Sequence, residues 1–186
     1  MSEQEIKSRD LLADFQVGVD NVIFSVDSER NRVLVLLTKR TSPPDQEHWS
    51  LPGTFVRVGE SLEQAAYRVM SEKIRVNDLY LEQLYSFGDT FVPDPMEMFK
   101  EGSKAELSAV RYLSVSYFAL VRFESAEVLG QAEERTAWFP VEGRSLDIQL
   151  AFNHGEILRY GYGRLQNKVT YSPLAFEVLP HRFTLN

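Results

Sequence analysis

The 186-residue chain contains no cysteine, which excludes a disulfide framework and any thiolate metal centre. Only three histidines occur, His48, His154 and His181, too scattered to suggest a zinc cluster. No run reaches the ~20 consecutive apolar residues that a membrane-crossing helix needs. The leading segment MSEQEIKSRDLLADF has no basic flank followed by an apolar core, so no export signal or anchor is expected and the cytoplasm is the expected compartment. An excess of basic residues is missing as well. Lys and Arg total 20 against 27 Asp and Glu, giving a net charge of -7, which argues against a broad nucleic-acid-binding surface within these residues. Internal repeats and low-complexity linkers are also absent.

What remains is the composition of one well-filled domain, 44% hydrophobic and 25% charged. Phe15 to Val26 and Arg32 to Lys39 read as strands joined by the polar turn of residues 27–31. The proline-rich stretch TSPPDQEHWSLPG should lie over the sheet rather than in it. Leu79 to Phe87 is a further expected strand, followed by an irregular insertion from Gly88 to Leu107. Arg111 to Phe123 is the next expected strand, and Ala137 to Pro140 ends the sheet region. From Phe152 onward the pattern becomes helical. Asn153 is the expected cap, and Ile157, Leu158, Tyr160, Gly161 and Leu165 mark the apolar side.

The segment from Pro52 to Val76, PGTFVRVGESLEQAAYRVMSEKIRV, carries the most informative pattern. Ser61 with Gln64 three residues on is a capping box, and Leu62, Ala65, Ala66, Val69 and Met70 supply the apolar stripe of a helix. With its lead-in of Trp49, Leu51, Pro52 and Gly53, this stretch resembles the Nudix box, G-x5-E-x7-R-E-U-x-E-E-x-G-U, with U aliphatic. Glu60 takes the first glutamate, Arg68 the arginine, Met70 and Val76 the aliphatic positions, and Glu72 the first of the paired acids. Thr54 replaces a glycine, Val69 and Lys73 replace glutamates, and Arg75 replaces the closing glycine.

Those departures bear on chemistry. Cleaving a nucleoside diphosphate linkage needs hard divalent cations with several oxygen ligands, to neutralise phosphate and to lower the pKa of an attacking water. Positions 69, 72 and 73 are related by i, i+3 and i+4, so a helix brings them to one face. Here that face reads Val, Glu, Lys. An ammonium ~4 Å from a cation, at an effective dielectric of ~20, opposes it by on the order of 4 kcal/mol before screening. Glu60, Arg68 and Glu72 are the residue of a catalytic constellation, with Glu60 and Glu72 as weak metal candidates, and efficient Mg2+-dependent hydrolysis is not expected. Restoring acids by Val69→Glu and Lys73→Glu is expected to raise hydrolysis.

A second resemblance covers nearly the whole chain. Residues 12–24 (LADFQVGVDNVIF), 81–89 (LEQLYSFGD), 111–121 (RYLSVSYFALV) and 151–185 are similar to the Nudix-related transcriptional regulators of NAD metabolism. The resemblance implies an α/β fold, a Nudix α/β/α sandwich with a mixed β-sheet and additional C-terminal helices. It implies an N-terminal extension over 1–14, a Nudix-like domain over 15–145, and a helical segment over 146–186 leading toward a winged-helix DNA reader that this chain lacks. It further implies an effector domain that binds ADP-ribose or a related nucleotide as a homodimer and needs no cofactor for binding. DNA would be contacted only through the absent winged helix. Arg40 and Arg111 match positions near the phosphate and ribose site, where guanidinium groups hold anionic oxygens. Gly53 and Phe55 lie at the bend where a ligand would approach. Two other readings stay open: a Mg-dependent hydrolase drawing acids from the insertion (Asp94, Glu97, Glu101, Glu106), and a dimerisation scaffold that binds no ligand.

Overall fold

The computed structural model describes residues 15–27, 29–30, 32–41, 45–76, 80–93, 109–122, 126–129, 135–141, 146 and 148–171. Strand β1 (Phe15–Asp27) turns into β2 (Arg32–Lys39) as an antiparallel hairpin with Phe24 opposite Val35 and Asp27 opposite Arg32. The buried Asp27 carboxylate closes the turn by accepting from the Arg30 backbone N–H at 3.1 Å and its guanidinium at 3.0 Å. The apolar run Val33–Leu37 of β2 is buried throughout, as expected of a strand whose sheet is covered on both sides.

The proline-rich stretch does not simply lie over the sheet. Trp49–Ser50 (β3) pairs with the end of β2, and Gly53–Phe55 (β4) pairs with β1, Gly18 opposite Phe55 and Asp20 opposite Gly53. Pro52 removes one donor between these two short strands, yet its carbonyl still accepts from Asn21 N–H at 2.8 Å. The preceding Leu51 N–H is satisfied by the His154 side chain at 2.9 Å.

Helix α1 (Leu62–Lys73) starts at the expected capping box, Ser61 side chain to Gln64 N–H and Gln64 side chain to Ser61 N–H. Strand β5 (Ile74–Arg75) follows it and pairs with β8 (Glu127–Val128) in a separate two-stranded ribbon. Strand β6 (Tyr80–Pro93) runs past Gly88, where irregular chain was expected, with register shifts at Gln83/Tyr85 and Phe87/Thr90. Residues 94–107 of the expected insertion lie outside the described residues. Strand β7 (Ala109–Leu120) pairs antiparallel with β6 and parallel with β1, and β9 (Thr136–Pro140) pairs with β2. The main sheet therefore runs β3-β2-β1-β7-β6 with β4 and β9 attached. It is mixed, as expected.

Helix α2 (His154–Tyr171) covers the second face. On β1 the alternation decides which layer each side chain joins. Val19 and Ile23 pack with Ala65, Ala66, Val69 and Met70 of α1, whereas Val22 and Phe24 pack with Ile157, Leu158, Tyr162 and Leu165 of α2. Gly161 is required where α2 crosses β1, since a Cβ there would stand 2.9 Å from Val22 Cγ1. Tyr160, expected on the apolar side, is 46% exposed and instead leans on Tyr85, ring centroids 4.9 Å apart.

Candidate functional site

Strand β4 lies between two groups of polar residues. On one side is the turn before α1. Glu60 accepts from Arg68 Nε at 2.7 Å and Nη2 at 2.9 Å, and from the Arg57 backbone N–H at 2.9 Å. Arg68 also donates to the Phe55 carbonyl at 3.2 Å, so the pair ties the turn to β4 and to the helix. The Arg68 side chain and the Arg57 N–H hold the Glu60 carboxyl down at about 2. Glu72 stands 3.9 Å from the same guanidinium.

This arrangement is an ion-pair clamp rather than a cation grip. The oxygens of Glu60 already accept from Arg68 and Arg57, and Val69 is buried beneath the helix at 1% exposure among Val19, Ala65, Ala66, Val115 and Tyr117. Lys73 supplies an ammonium where a carboxylate would be needed. Among the described residues, no group of three or more His, Asp or Glu side chains is placed to hold a metal ion. Among the described residues the donor set does not fit magnesium. The acids of the insertion, Asp94, Glu97, Glu101 and Glu106, lie outside the described residues.

On the other side of β4 is a denser group. Asp20 on β1 sits against Gly53, where a Cβ would fall 2.1 Å from Asp20 Oδ1, so only glycine allows this approach. The Ser114 hydroxyl, from β7, donates to Asp20 Oδ2. His154 Nε2 faces Asp20 Oδ1 at 3.5 Å, and His154 Nδ1 accepts from the Leu51 N–H at 2.9 Å. Because Nδ1 is an acceptor, the proton of the neutral ring is on Nε2. Burial pushes the His154 pKa down, outweighing the pull of the Asp20 charge.

Arg40, just past β2, lies with its guanidinium carbon 4.5 Å from the centroid of the Phe152 ring, a cation–π placement. Burial lowers its pKa against the opposing charges of Asp45 and Asp20. Asp45 and Phe152 both adopt positive φ, 58° and 52°, and the Phe152 N–H donates to Asp45 Oδ2 at 3.0 Å. Strain at a phenylalanine in the left-handed region marks a position that its surroundings over-determine. The Phe152 ring also meets His154, centroids 5.4 Å apart.

Of the expected ligand residues, Arg40 and Gly53 join this group, and Phe55 projects beside it, 52% exposed with its ring 5.5 Å from that of Tyr112. Arg111 is placed by its backbone on β7, opposite Phe15 and Phe91, adjacent to Tyr112. Asp20, Asp45, Ser114, Phe152 and His154 were not anticipated as site residues. A separate open cavity of about 410 Å3 near the start of α2, lined by Leu146, Ile148, Leu150, Phe152 and Arg159 among others, shares Phe152 with the group. It includes neither Arg40 nor Asp20, and the chemistry lies with those charged groups.

Comparison with known proteins bears on the family and the fold. The chain is 33% identical over 169 residues to the ADPR responsive transcriptional repressor NtrR of Acinetobacter baylyi, a match covering 90% of this chain and 61% of that protein. The chain thus spans about three fifths of the repressor's length. The NUDIX domain of Shewanella oneidensis NrtR complexed with ADP ribose is 27% identical with a TM-score of 0.63, covering 89% of this chain and 99% of that one. The same organism's NrtR complexed with a 27mer DNA is 28% identical with a TM-score of 0.69, covering 91% and 70% of the two chains. The NUDIX domain model matches residues 14–160, most of the sequence, and the chain belongs to the NUDIX family.

Proposed function

We propose that this chain is an effector-binding domain that holds ADP-ribose or a related nucleoside diphosphate without hydrolysing it efficiently, as part of a transcriptional regulator of NAD metabolism. One observation carries the reading. The helix position that should contribute a metal-binding acid is a core residue, Val69, while the polar and aromatic group across β4 is fully assembled. Binding therefore needs no cation. Arg40 supplies positive charge for a diphosphate. The carboxylate of Asp20 suits ribose hydroxyls, and the exposed Phe55–Tyr112 pair offers a face on which a base can stack. Arg111, by its place on β7, is assigned to the same ligand.

The relatives with matching architecture are described as an ADPR-responsive repressor and as complexes with ADP ribose and with DNA, which supports the ligand class and the regulatory role. DNA contact is not assigned to these residues, and the working state is assigned to a cytoplasmic homodimer. Calorimetric titration with ADP-ribose, with and without Mg2+, followed by chromatography of the products, tests the proposal. Binding with intact nucleotide supports it. Brisk Mg2+-dependent turnover would establish a hydrolase instead, and no heat of binding would leave the scaffold reading.

A further inference from the structure

Among the described residues, His154 is a buried imidazole that touches both the Leu51–Gly53 bend and the carboxylate beside it. The bend is held from two directions. From β1, Asn21 N–H donates to the Pro52 carbonyl at 2.8 Å. From the segment leading into α2, Ala151 N–H donates to the Trp49 carbonyl at 2.8 Å, and His154 Nδ1 accepts from Leu51 N–H. The second ring nitrogen faces Asp20, whose other oxygen is engaged by Ser114. His154 is also the first residue of α2.

We propose that His154 is a positioning residue for the ligand site: its two ring nitrogens fix the Leu51–Gly53 bend and the Asp20 carboxylate in one geometry and link both to the head of α2. The role rests on the ADP-ribose reading above and specifies its regulation, because a ligand seated at the bend then acts on the first turn of the helix through this side chain, in addition to the backbone contact of Ala151 with Trp49. A neutral ring is needed, since a protonated Nδ1 cannot accept from Leu51. The charged groups facing the ring are Asp20 from β1, Arg40 from the end of β2 and Asp45 from the following loop, and burial outweighs the two carboxylates in keeping it neutral. A structural histidine alone would affect folding. A positioning histidine also sets affinity and the response of α2.

The test uses the full chain with ADP-ribose as probe. In His154→Ala the Leu51 N–H loses its acceptor, and binding is expected to weaken about tenfold or more. In His154→Asn the side-chain oxygen can stand where Nδ1 stood, and most of that loss is expected to return. Leu165→Ala, a core truncation remote from the site, serves as the stability control: it lowers Tm while leaving affinity at the wild-type value. In 15N–1H spectra, ADP-ribose is expected to shift the Leu51 amide and the first-turn amides of α2 in the wild type, to shift those of α2 markedly less in His154→Ala, and to restore the larger shift in His154→Asn. Wild-type affinity and α2 shifts in His154→Ala would overturn the proposal, as would an Asn variant no better than Ala, or an equal affinity loss in Leu165→Ala. If the wild type binds no ADP-ribose, the functional reading fails and takes the ligand role with it. The positioning role is then judged by the Leu51 amide alone, and an unchanged resonance and exchange rate in His154→Ala refutes it.

Discussion

Restoring the missing acid at position 69 is the perturbation that most directly opposes the pattern of the motif to the packing of the molecule. From the pattern alone, Val69→Glu rebuilds a metal ligand. From the structure, Val69 is 1% exposed and packs against Val19, Ala65, Ala66, Val115 and Tyr117. Losing the valine forfeits roughly 1.5–3 kcal/mol of apolar burial. An ionised carboxylate with no partner in that cluster adds several kcal/mol more. The new group can escape the larger penalty by protonating, at about 1.36 kcal/mol per pH unit above the free pKa of ~4.3, or about 4 kcal/mol at pH 7.5. A total loss of about 5.5–7 kcal/mol at pH 7.5 is therefore expected, out of the ~5–15 kcal/mol typical of a domain. The pH dependence supplies a signature. This carboxyl would have its pKa raised in the folded state, so its destabilisation grows as pH rises above ~4.3 and shrinks by about 2 kcal/mol from pH 7.5 to 6.0. Urea unfolding at those two pH values measures it. A variant within ~1 kcal/mol of the parent at both, with new Mg2+-dependent hydrolysis, would refute the reasoning and reinstate the motif-based expectation.

Three other perturbations are informative. Gly53→Ala would set a Cβ 2.1 Å from Asp20 Oδ1 and 3.0 Å from the Val19 carbonyl; a stability loss of about 1–3 kcal/mol in denaturant and a weakened ADP-ribose titration are expected, and a neutral outcome in both would mean that the approach is not tight. Gly161→Ala gains up to ~1 kcal/mol of helix propensity but meets Val22 Cγ1 at 2.9 Å, so the net change is expected to be destabilising, and adding Val22→Ala should recover part of it in a double-mutant cycle. The Glu60 carboxyl, held at about 2 against an ordinary 4.5, contributes stability that is present above pH 4.5 and lost as pH falls toward 2. Acid titration of Glu60→Gln is expected to begin from a lower stability at neutral pH and to fall less steeply across that window than the parent.

The β1–β2 hairpin, α1 and the apolar side of α2 were legible in the sequence because each is written in local period and capping. Ser61 and Gln64 fix the start of α1 by contacts three residues apart, a range at which sequence speaks directly. Strands β3 and β4 were not legible, since two or three residues carry no period and their pairing depends on β1 and β2 being already in place. Tyr160 was placed on the wrong side because the aromatic surface of Tyr85 that it leans on lies on another element. The candidate group was legible only at Arg40, Gly53 and Phe55. Asp20, Asp45, Ser114 and His154 come from four distant segments, and each alone is an ordinary polar residue. Only the close approach allowed by Gly53 and the turn through Phe152 give them a common centre.

The clamp at Glu60 and the core at Val69 together account for a motif that keeps its frame while losing its acids. A turn carrying a glutamate beside a helix needs positive charge to hold it there. Arg68 provides that charge with two hydrogen bonds to Glu60 and a third to the Phe55 carbonyl, so the turn, β4 and α1 remain joined without a cation. At position 69 an apolar side chain adds to the layer between α1 and the sheet, where a carboxylate would need a partner to be tolerated. Lys73 lies in the last turn of α1, where an ammonium interacts favourably with the helix dipole. At both positions the departure from the motif favours the fold, and the bend at Gly53 on which the candidate group depends is positioned by hydrogen bonds from β1 and from the start of α2.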